Sequence, residues 1–252
     1  MSSQDRPVSS SKKEKSQKPR TSNNEPYTEP EISALSFKDK IKSSLPYTLA
    51  VAIIGFVSFW VKMRPSEGVF LPNGFVRFIT NDAWYHMRTL NVLLHNYPDR
   101  MFYNPMTNYP HGSYIHFGPL YDQMIAVVSL VLGVGNPSSN LVNHIAAYSP
   151  AVLGALTVIP VYYIGKYLGG RKTGILAAIL IAFAPGQFLV RSLVGVSDHH
   201  VAESLFSTFF MMFFMLALIV SKKKKLHFQD VLNKNFDAIK EPLIYSVIAG
   251  VM

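Results

Sequence analysis

The chain of 252 residues has no cysteine, which excludes a disulfide scaffold, a thiolate metal site and a cysteine nucleophile. Charge is also scarce: Asp, Glu, Lys and Arg make up 15% of the residues, against roughly 25% in a soluble domain. Acidic residues are the scarcer kind, 15 Asp and Glu against 24 Lys and Arg, for a net charge of +9. No glycine-rich phosphate loop, G-x-S-x-G elbow, HExxH helix or internal repeat occurs in the sequence, so the reactions those motifs serve have no support. Nor is there an Asn-x-Ser/Thr acceptor, since Asn136-Pro137-Ser138 carries proline in the middle. Apolar residues are what the chain has in quantity: 49% hydrophobic, 13% aromatic and a mean hydropathy of +0.18. This is a membrane-type composition.

Residues 1–44 are rich in Ser, Lys, Pro, Asn and Glu, with nine Lys/Arg against six Asp/Glu. Too polar to offset the entropy of ordering, they read as a disordered basic tail. The run 45–61 lies too far from the start for a cleaved signal peptide and reads as an uncleaved span. Further uncharged runs at 145–165, 173–190 and 204–220 are each long enough to cross hydrocarbon, and another opens at Pro242. A chain stopping inside that last run reads as the front part of something longer. The segment 120–135 has Asp122 and Gln123 in its first turn, which suits an interfacial or protein-buried helix better than a span. Charge decides the topology, because short inner loops collect Lys and Arg. If 120–135 does not span, 18 of the Lys/Arg fall inside and 6 outside; if it does, 10 fall inside and 14 outside. The first arrangement puts the N-terminus and Lys222 to Lys225 on the cytoplasmic side, against anionic lipid, with the loops 62–142 and 191–201 outside. This sorting of cations points to a membrane partner and to no nucleic acid.

Both outer segments contain an acidic motif. The first is Thr80-Asn81-Asp82-Ala83-Trp84-Tyr85-His86, opening a helix whose apolar positions Ala83, Met87, Leu90 and Leu94 keep helical spacing. Its bland reading is that Asn81 or Asp82 is merely the N-cap. The second is Ser197-Asp198-His199-His200-Val201-Ala202-Glu203, at the mouth of a span. Asp and His at i and i+2 can present a carboxylate and an imidazole to one cation, a mixed set suiting Mn²⁺, Fe²⁺ or Zn²⁺, while Mg²⁺ prefers oxygen alone. Here too Asp198 can be a plain cap. Arg191 is either a boundary cation or a phosphate clamp. The loop 104–119, dense in turn formers, Tyr and His, is either a rigid cover or a pocket wall offering His111 or His116 to a phosphate.

Three stretches taken together are familiar: N-D-x-W-Y-H at 81–86, Y-P-x-G-S-x-x-H-F-G-P at 109–119, and R-S-x-x-G-x-S-D-H-H at 191–200. From about residue 45 onward the chain closely resembles the N-terminal part of the catalytic subunit of oligosaccharyltransferase, the archaeal single-subunit type in particular. The resemblance implies an all-α polytopic membrane protein of the GT-C glycosyltransferase class. It implies transfer of an oligosaccharide from a dolichyl phosphate or diphosphate carrier to Asn of an Asn-x-Ser/Thr sequon, the lipid-linked oligosaccharide and the acceptor polypeptide being the partners. In that family the matching positions bind a divalent cation, Mn²⁺ or Mg²⁺. They fall on Asp82, Asp198 and His200, with Asp82 also holding the acceptor amide. His116 and His199 would face the lipid-linked phosphate, where Arg191, if it is a clamp, would join them. His200 stands where bacterial and eukaryotic members have a carboxylate, which is the archaeal pattern.

The family continues with more spans, a second long outer loop and a C-terminal domain bearing W-W-D-x-G. These 252 residues hold none of that, so an N-terminal fragment, inactive by itself, is expected. Two other readings stay open: a GT-C mannosyltransferase using a dolichyl-phosphate sugar, and a non-enzymatic membrane subunit.

Overall fold

The computed structural model describes residues 37–233 and 235–252. In chain order its elements are α1 (Phe37–Lys62), α2 (Ser66–Val69), α3 (Asn81–His95), β1 (Tyr103–Asn104), β2 (Ser113–Tyr114), α4 (Leu120–Leu132), α5 (Ser139–Leu156), α6 (Val158–Gly169), α7 (Arg171–Ala182), α8 (Gln187–Arg191), α9 (His200–Lys223), α10 (Phe228–Leu232) and α11 (Phe236–Val251). Among the described residues the two strands form a single antiparallel pair, Tyr103 opposite Tyr114, and the other elements are helices. Residues 1–36 of the expected tail lie outside the described residues. Residues 37–44 do not match it: they are helical and form the start of α1.

Among the described residues, three helices are long and apolar enough to cross a membrane: Lys42–Lys62, Ser139–Gly169 and His200–Lys223. The first has large apolar side chains exposed all along it, Leu45, Leu49, Ile53, Phe56 and Trp60. Such exposure is costly in water and expected against lipid. Ser139–Gly169 is α5 running into α6 through Thr157.

The expectation of a continuous span over 173–190 is corrected. Here α7 stops at Ala182 and α8 starts only at Gln187. Pro185 has no N–H to extend the ladder, and Gly186 sits at φ +85°, where a helix cannot continue. The carbonyl left open at the break is taken up by α1: buried Lys62 donates from Nζ to Ser58 Oγ at 2.8 Å and to the Ala182 carbonyl at 3.4 Å. The ammonium also lies 5.4 Å from the centre of the Phe188 ring, which ties α8 to the same point. The break turns the chain so that Arg191, the last residue of α8, and the segment after it reach the acidic motifs.

Close backbone approach is a matter of small residues. A Cβ on Gly174 would fall 2.7 Å from the Tyr162 carbonyl oxygen, and one on Gly165 would fall 2.9 Å from Ala177 Cβ, so α6 and α7 pack as small-residue faces do in membranes. The main apolar core sits at one end of the bundle. It joins Ala83, Met87 and Leu90 of α3, Tyr121 and Ile125 of α4, Ala146 and Ala147 of α5, Val194, and Val201 and Leu205 of α9. A smaller core holds Val158 and Tyr162 against Ala178 and Ala182. Helix α4 matches the short helix expected over 120–135, its buried face turned to that main core and Val131 and Leu132 exposed.

Gly154 tests the packing of α5 on the break. An added Cβ would lie 2.5 Å from Ser192 Cβ and 2.8 Å from Lys62 Cε. Gly154→Ala is expected to destabilise the protein by about 1–3 kcal/mol, the usual cost of overpacking, read as a lowered thermal midpoint in detergent. An unchanged midpoint would mean that α5 does not rest on Lys62 and Ser192.

Candidate metal centre

The first acidic motif is presented by the start of α3. Thr80 is the last extended residue, at φ −115° and ψ 157°, and its side chain accepts from the Ala83 amide at 3.4 Å. Thr80 is therefore the N-cap. Asn81 and Asp82 already lie in the first turn, so the capping expectation for them is corrected. The Asp82 carboxylate is not used for capping and is 61% exposed, at the helix end where the dipole favours negative charge. One turn further, on the same face, His86 is buried.

The second motif is held in place by backbone. The Val194 amide donates to the Lys62 carbonyl at 3.1 Å, the Gly195 amide to the Ala147 carbonyl at 2.9 Å, and the Ile79 amide to the Gly195 carbonyl at 3.0 Å. That last bond binds the second motif's approach to the first motif's approach. Gly195 is at φ +81°, and a Cβ there would meet Val69 Cγ2 at 2.7 Å, so both the conformation and the space require glycine. Ser197 donates from its hydroxyl to the Ala146 carbonyl. The segment delivers Asp198 fully buried, with 0% exposure. Nor is Asp198 a cap: α9 starts with His199 at the N-cap position and no side-chain cap bond.

Arg191 joins the two acidic motifs. Arg191 Nη1 bonds Asp198 Oδ2 and lies 3.3 Å from Asp82 Oδ2, while His200 Nε2 is 3.8 Å from the same Asp198 oxygen. The guanidinium thus bridges the two carboxylates, and the His200 imidazole lies beside one of them. His200 Nδ1 is 3.0 Å from Glu203 Oε2, so Nδ1–H can donate there and leave the Nε2 lone pair toward Asp198. His86 repeats this pattern on the inner side, with Nδ1 2.8 Å from buried Asp122 and Nε2 3.6 Å from Asp198 Oδ1. His199 Nδ1 lies 3.1 Å from His86 Nε2 and 2.9 Å from Asp198 Oδ1, yet that oxygen accepts no hydrogen bond. A buried carboxylate oxygen without a partner is costly.

The electrostatics follow from the geometry. Burial pulls the His86 pKa down, but the Asp122 and Asp198 carboxylates outweigh it and raise it from 6.5 to about 9. Burial pushes Asp198 up, but the neighbouring His86 imidazole and the charges of His200 and His199 hold it well below the usual carboxylate range. His199 is lowered, chiefly by burial. Asp198 is therefore an anion at neutral pH, surrounded by groups that carry or share positive charge.

Asp82, Arg191, Asp198, His199 and His200 are brought together; His116 is not. It is exposed and takes part in none of these contacts, although the next residue, Phe117, stacks on His199 at 5.0 Å and 14°. The sequence reading passed over His86, Asp122 and Glu203 as site groups. His86 was signalled by its i, i+4 spacing from Asp82, and Asp122 by being ionisable within an apolar helix. Two cavities flank the cluster. One, of about 530 Å³, is lined by Arg191, His200, Glu203 and Ser204; the other, of about 430 Å³, by Gly118, His199, Glu203 and Phe206.

Residues 46–252 match the family model described as oligosaccharyl transferase STT3, N-terminal. The chain belongs to the STT3 oligosaccharyltransferase family. It is 43% identical over 80% of its length to the dolichyl-monophosphooligosaccharide–protein glycotransferase AglB of Haloferax volcanii, and 35% identical over 70% to dolichyl-phosphooligosaccharide–protein glycotransferase 3 of Archaeoglobus fulgidus. It spans 19% of the length of each of these relatives. Two solved structures of the A. fulgidus oligosaccharyltransferase share the fold. AglB with an inhibitory peptide and a dolichol-phosphate matches 84% of this chain and 23% of that one, at TM-score 0.71 and 32% identity. The complex with Zn and sulfate matches 80% of this chain and 24% of that one, at 0.69 and 32%. The fold is thus that of a GT-C oligosaccharyltransferase, and STT3 membership sets the mannosyltransferase reading aside.

Gly195→Ala tests the scaffold of this STT3 site. Strain at positive φ and the contact with Val69 are expected to cost about 1–3 kcal/mol and to loosen Asp198. A thermal scan should show a lowered midpoint; a wild-type midpoint would contradict the role given to this loop.

Proposed function

We propose that this chain carries the metal-holding part of an oligosaccharyltransferase that moves an oligosaccharide from a dolichyl phosphate or diphosphate carrier to the Asn side chain of Asn-x-Ser/Thr sequons. The observation that carries the reading is that Arg191 Nη1 bridges Asp82 and Asp198 while His200 Nε2 lies 3.8 Å from the same Asp198 oxygen. The residues fit a divalent ion. A cation already bridges the two carboxylates, the donor set is two oxygens and one nitrogen, and Glu203 orients the His200 ring as outer carboxylates orient metal-binding imidazoles. Mn²⁺ or Mg²⁺ held by Asp82, Asp198 and His200 would act as a Lewis acid that stabilises negative charge on the departing phosphate.

The chain's own groups do the rest. Asp82, exposed and not spent on capping, accepts from the N–H₂ of the acceptor carboxamide and orients that weak nucleophile toward the sugar. Arg191, released from between the carboxylates, offers a planar fork to phosphate oxygens. His199, walled by Phe117, faces the cavity beside α9, where a lipid-borne phosphate can arrive from the bilayer. Orientation belongs to the same proposal. Lys166, Arg171, Lys172 and Lys222 to Lys225 lie at the α6–α7 turn and at the far end of α9 from the site. With those cations cytoplasmic, the N-terminus is inside and the metal centre faces out. A membrane-boundary site accepts both substrates, lipid from the side and unfolded polypeptide from the water.

Glycan transfer from lipid-linked oligosaccharide to an Asn-x-Thr peptide, by the full-length protein in membranes, is the test. EDTA should abolish it and Mn²⁺ restore it, and Asp82→Ala and His200→Ala should each lower it by about 10²-fold or more. Undiminished transfer in both variants would sink the ligand assignment, and no transfer to peptide by folded wild type would sink the function.

A further inference from the structure

Asp198 has two oxygens, and the proposed ion uses only one of them. Oδ2 faces outward to Arg191 and His200. Oδ1 faces inward, buried and without a hydrogen-bond partner, toward two imidazole nitrogens. His86 Nε2, His199 Nδ1 and Asp198 Oδ1 form a triangle with edges of 3.1, 3.6 and 2.9 Å. The circle through three such atoms has a radius of about 1.9 Å, so an ion about 2.0–2.1 Å from each would lie about 0.8 Å out of their plane, as in a tetrahedral zinc site.

We infer that His86, Asp198 and His199 form a second, inner cation site, selective for zinc, with Asp198 as the ligand shared between it and the outer ion. The inference rests on the proposed outer site only in that Asp198 belongs to both. Three independent features support it. The orphan oxygen is aimed into the triangle, and an ion there would give it the partner that it lacks. Asp122 takes the Nδ1–H of His86 at 2.8 Å from a buried position, which leaves Nε2 as the nitrogen that binds an ion by giving up its proton, with the carboxylate behind it as in zinc-bound histidines. Two imidazoles and one carboxylate are a softer set than the outer pair of carboxylates with one imidazole, so zinc is favoured inside and Mn²⁺ or Mg²⁺ outside. Phe117 stacks on His199 at 5.0 Å and meets His86 at 5.3 Å with a 44° tilt, beside the position. The fourth coordination position is open to a water or a phosphate oxygen. A carboxylate shared by two ions is how two-metal centres clamp a reacting phosphate group.

Metal content of the full-length protein in detergent gives a direct test. After loading with Zn²⁺ and Mn²⁺ and removal of excess, wild type should hold two ions per chain, one of them zinc. X-ray absorption at the zinc edge should show two imidazole nitrogens, and this reading needs no variant. His86→Ala should lose the zinc and keep the Mn²⁺, and Asp122→Asn should weaken zinc binding by about 10–100-fold. Asp82→Ala should do the reverse, losing Mn²⁺ and keeping zinc. One ion per chain that survives His86→Ala but not Asp82→Ala would overturn the inner site and leave the outer reading standing. One ion that survives Asp82→Ala but not His86→Ala would keep the inner site and overturn the outer. A zinc edge with fewer than two imidazoles would overturn the inference outright.

Discussion

Everything near the site depends on keeping one carboxylate ionised where water does not reach it. Asp198 is wholly buried, and a bare buried anion is costly by several kcal/mol even after relaxation. Its neighbours answer that cost: Arg191 on one oxygen, His86, His199 and His200 close by, and Asp122 and Glu203 holding two of those histidines from behind. Such an arrangement is poor economy if stability alone is the aim, since apolar residues would fill the space better. It is what a cation site requires, because the negative charge must already be in place and oriented when the ion arrives.

The unusual features of the fold serve that charge. A continuous helix over 173–190 would carry the chain past the site, whereas the break at Pro185 and Gly186 folds it back and sets Arg191 beside the carboxylates. Breaking a helix in an apolar layer leaves carbonyls open, and the buried ammonium of Lys62 supplies a donor from α1. Gly195 then lets the segment pass close to Val69 while its two backbone bonds lock it to α5 and to the approach of α3. Broken helix, buried lysine and left-handed glycine are three parts of one device, which holds two loops distant in sequence at a fixed separation.

Much of this was legible in the residues. Long uncharged runs announced α1, α5 with α6, and α9, because in hydrocarbon every backbone group must be satisfied within the helix and length is the signal. Asp122 inside its first turn marked α4 as a helix apart. Two short motifs located Asp82, Asp198, His199 and His200, since acid and imidazole at the mouth of a span have few structural uses. The break at 183–186 was missed because hydropathy alone cannot see it; the Pro185-Gly186 pair was the cue. The bland alternative, capping by Asn81 or Asp82, falls instead to Thr80, one of several competent residues in a row. His86 and Asp122 were not counted in the site because they come from separate helices whose meeting is a tertiary fact.

The central claim is that Asp82, Asp198 and His200 hold one divalent ion. Pulsed electron paramagnetic resonance of Mn²⁺ bound to the full-length protein reads it most directly, since a coordinated imidazole leaves a nitrogen coupling on the manganese. The account predicts that this coupling is present in wild type, persists in His86→Ala and vanishes in His200→Ala. A Mn²⁺ signal without nitrogen coupling in wild type, or one whose coupling survives His200→Ala, would contradict it.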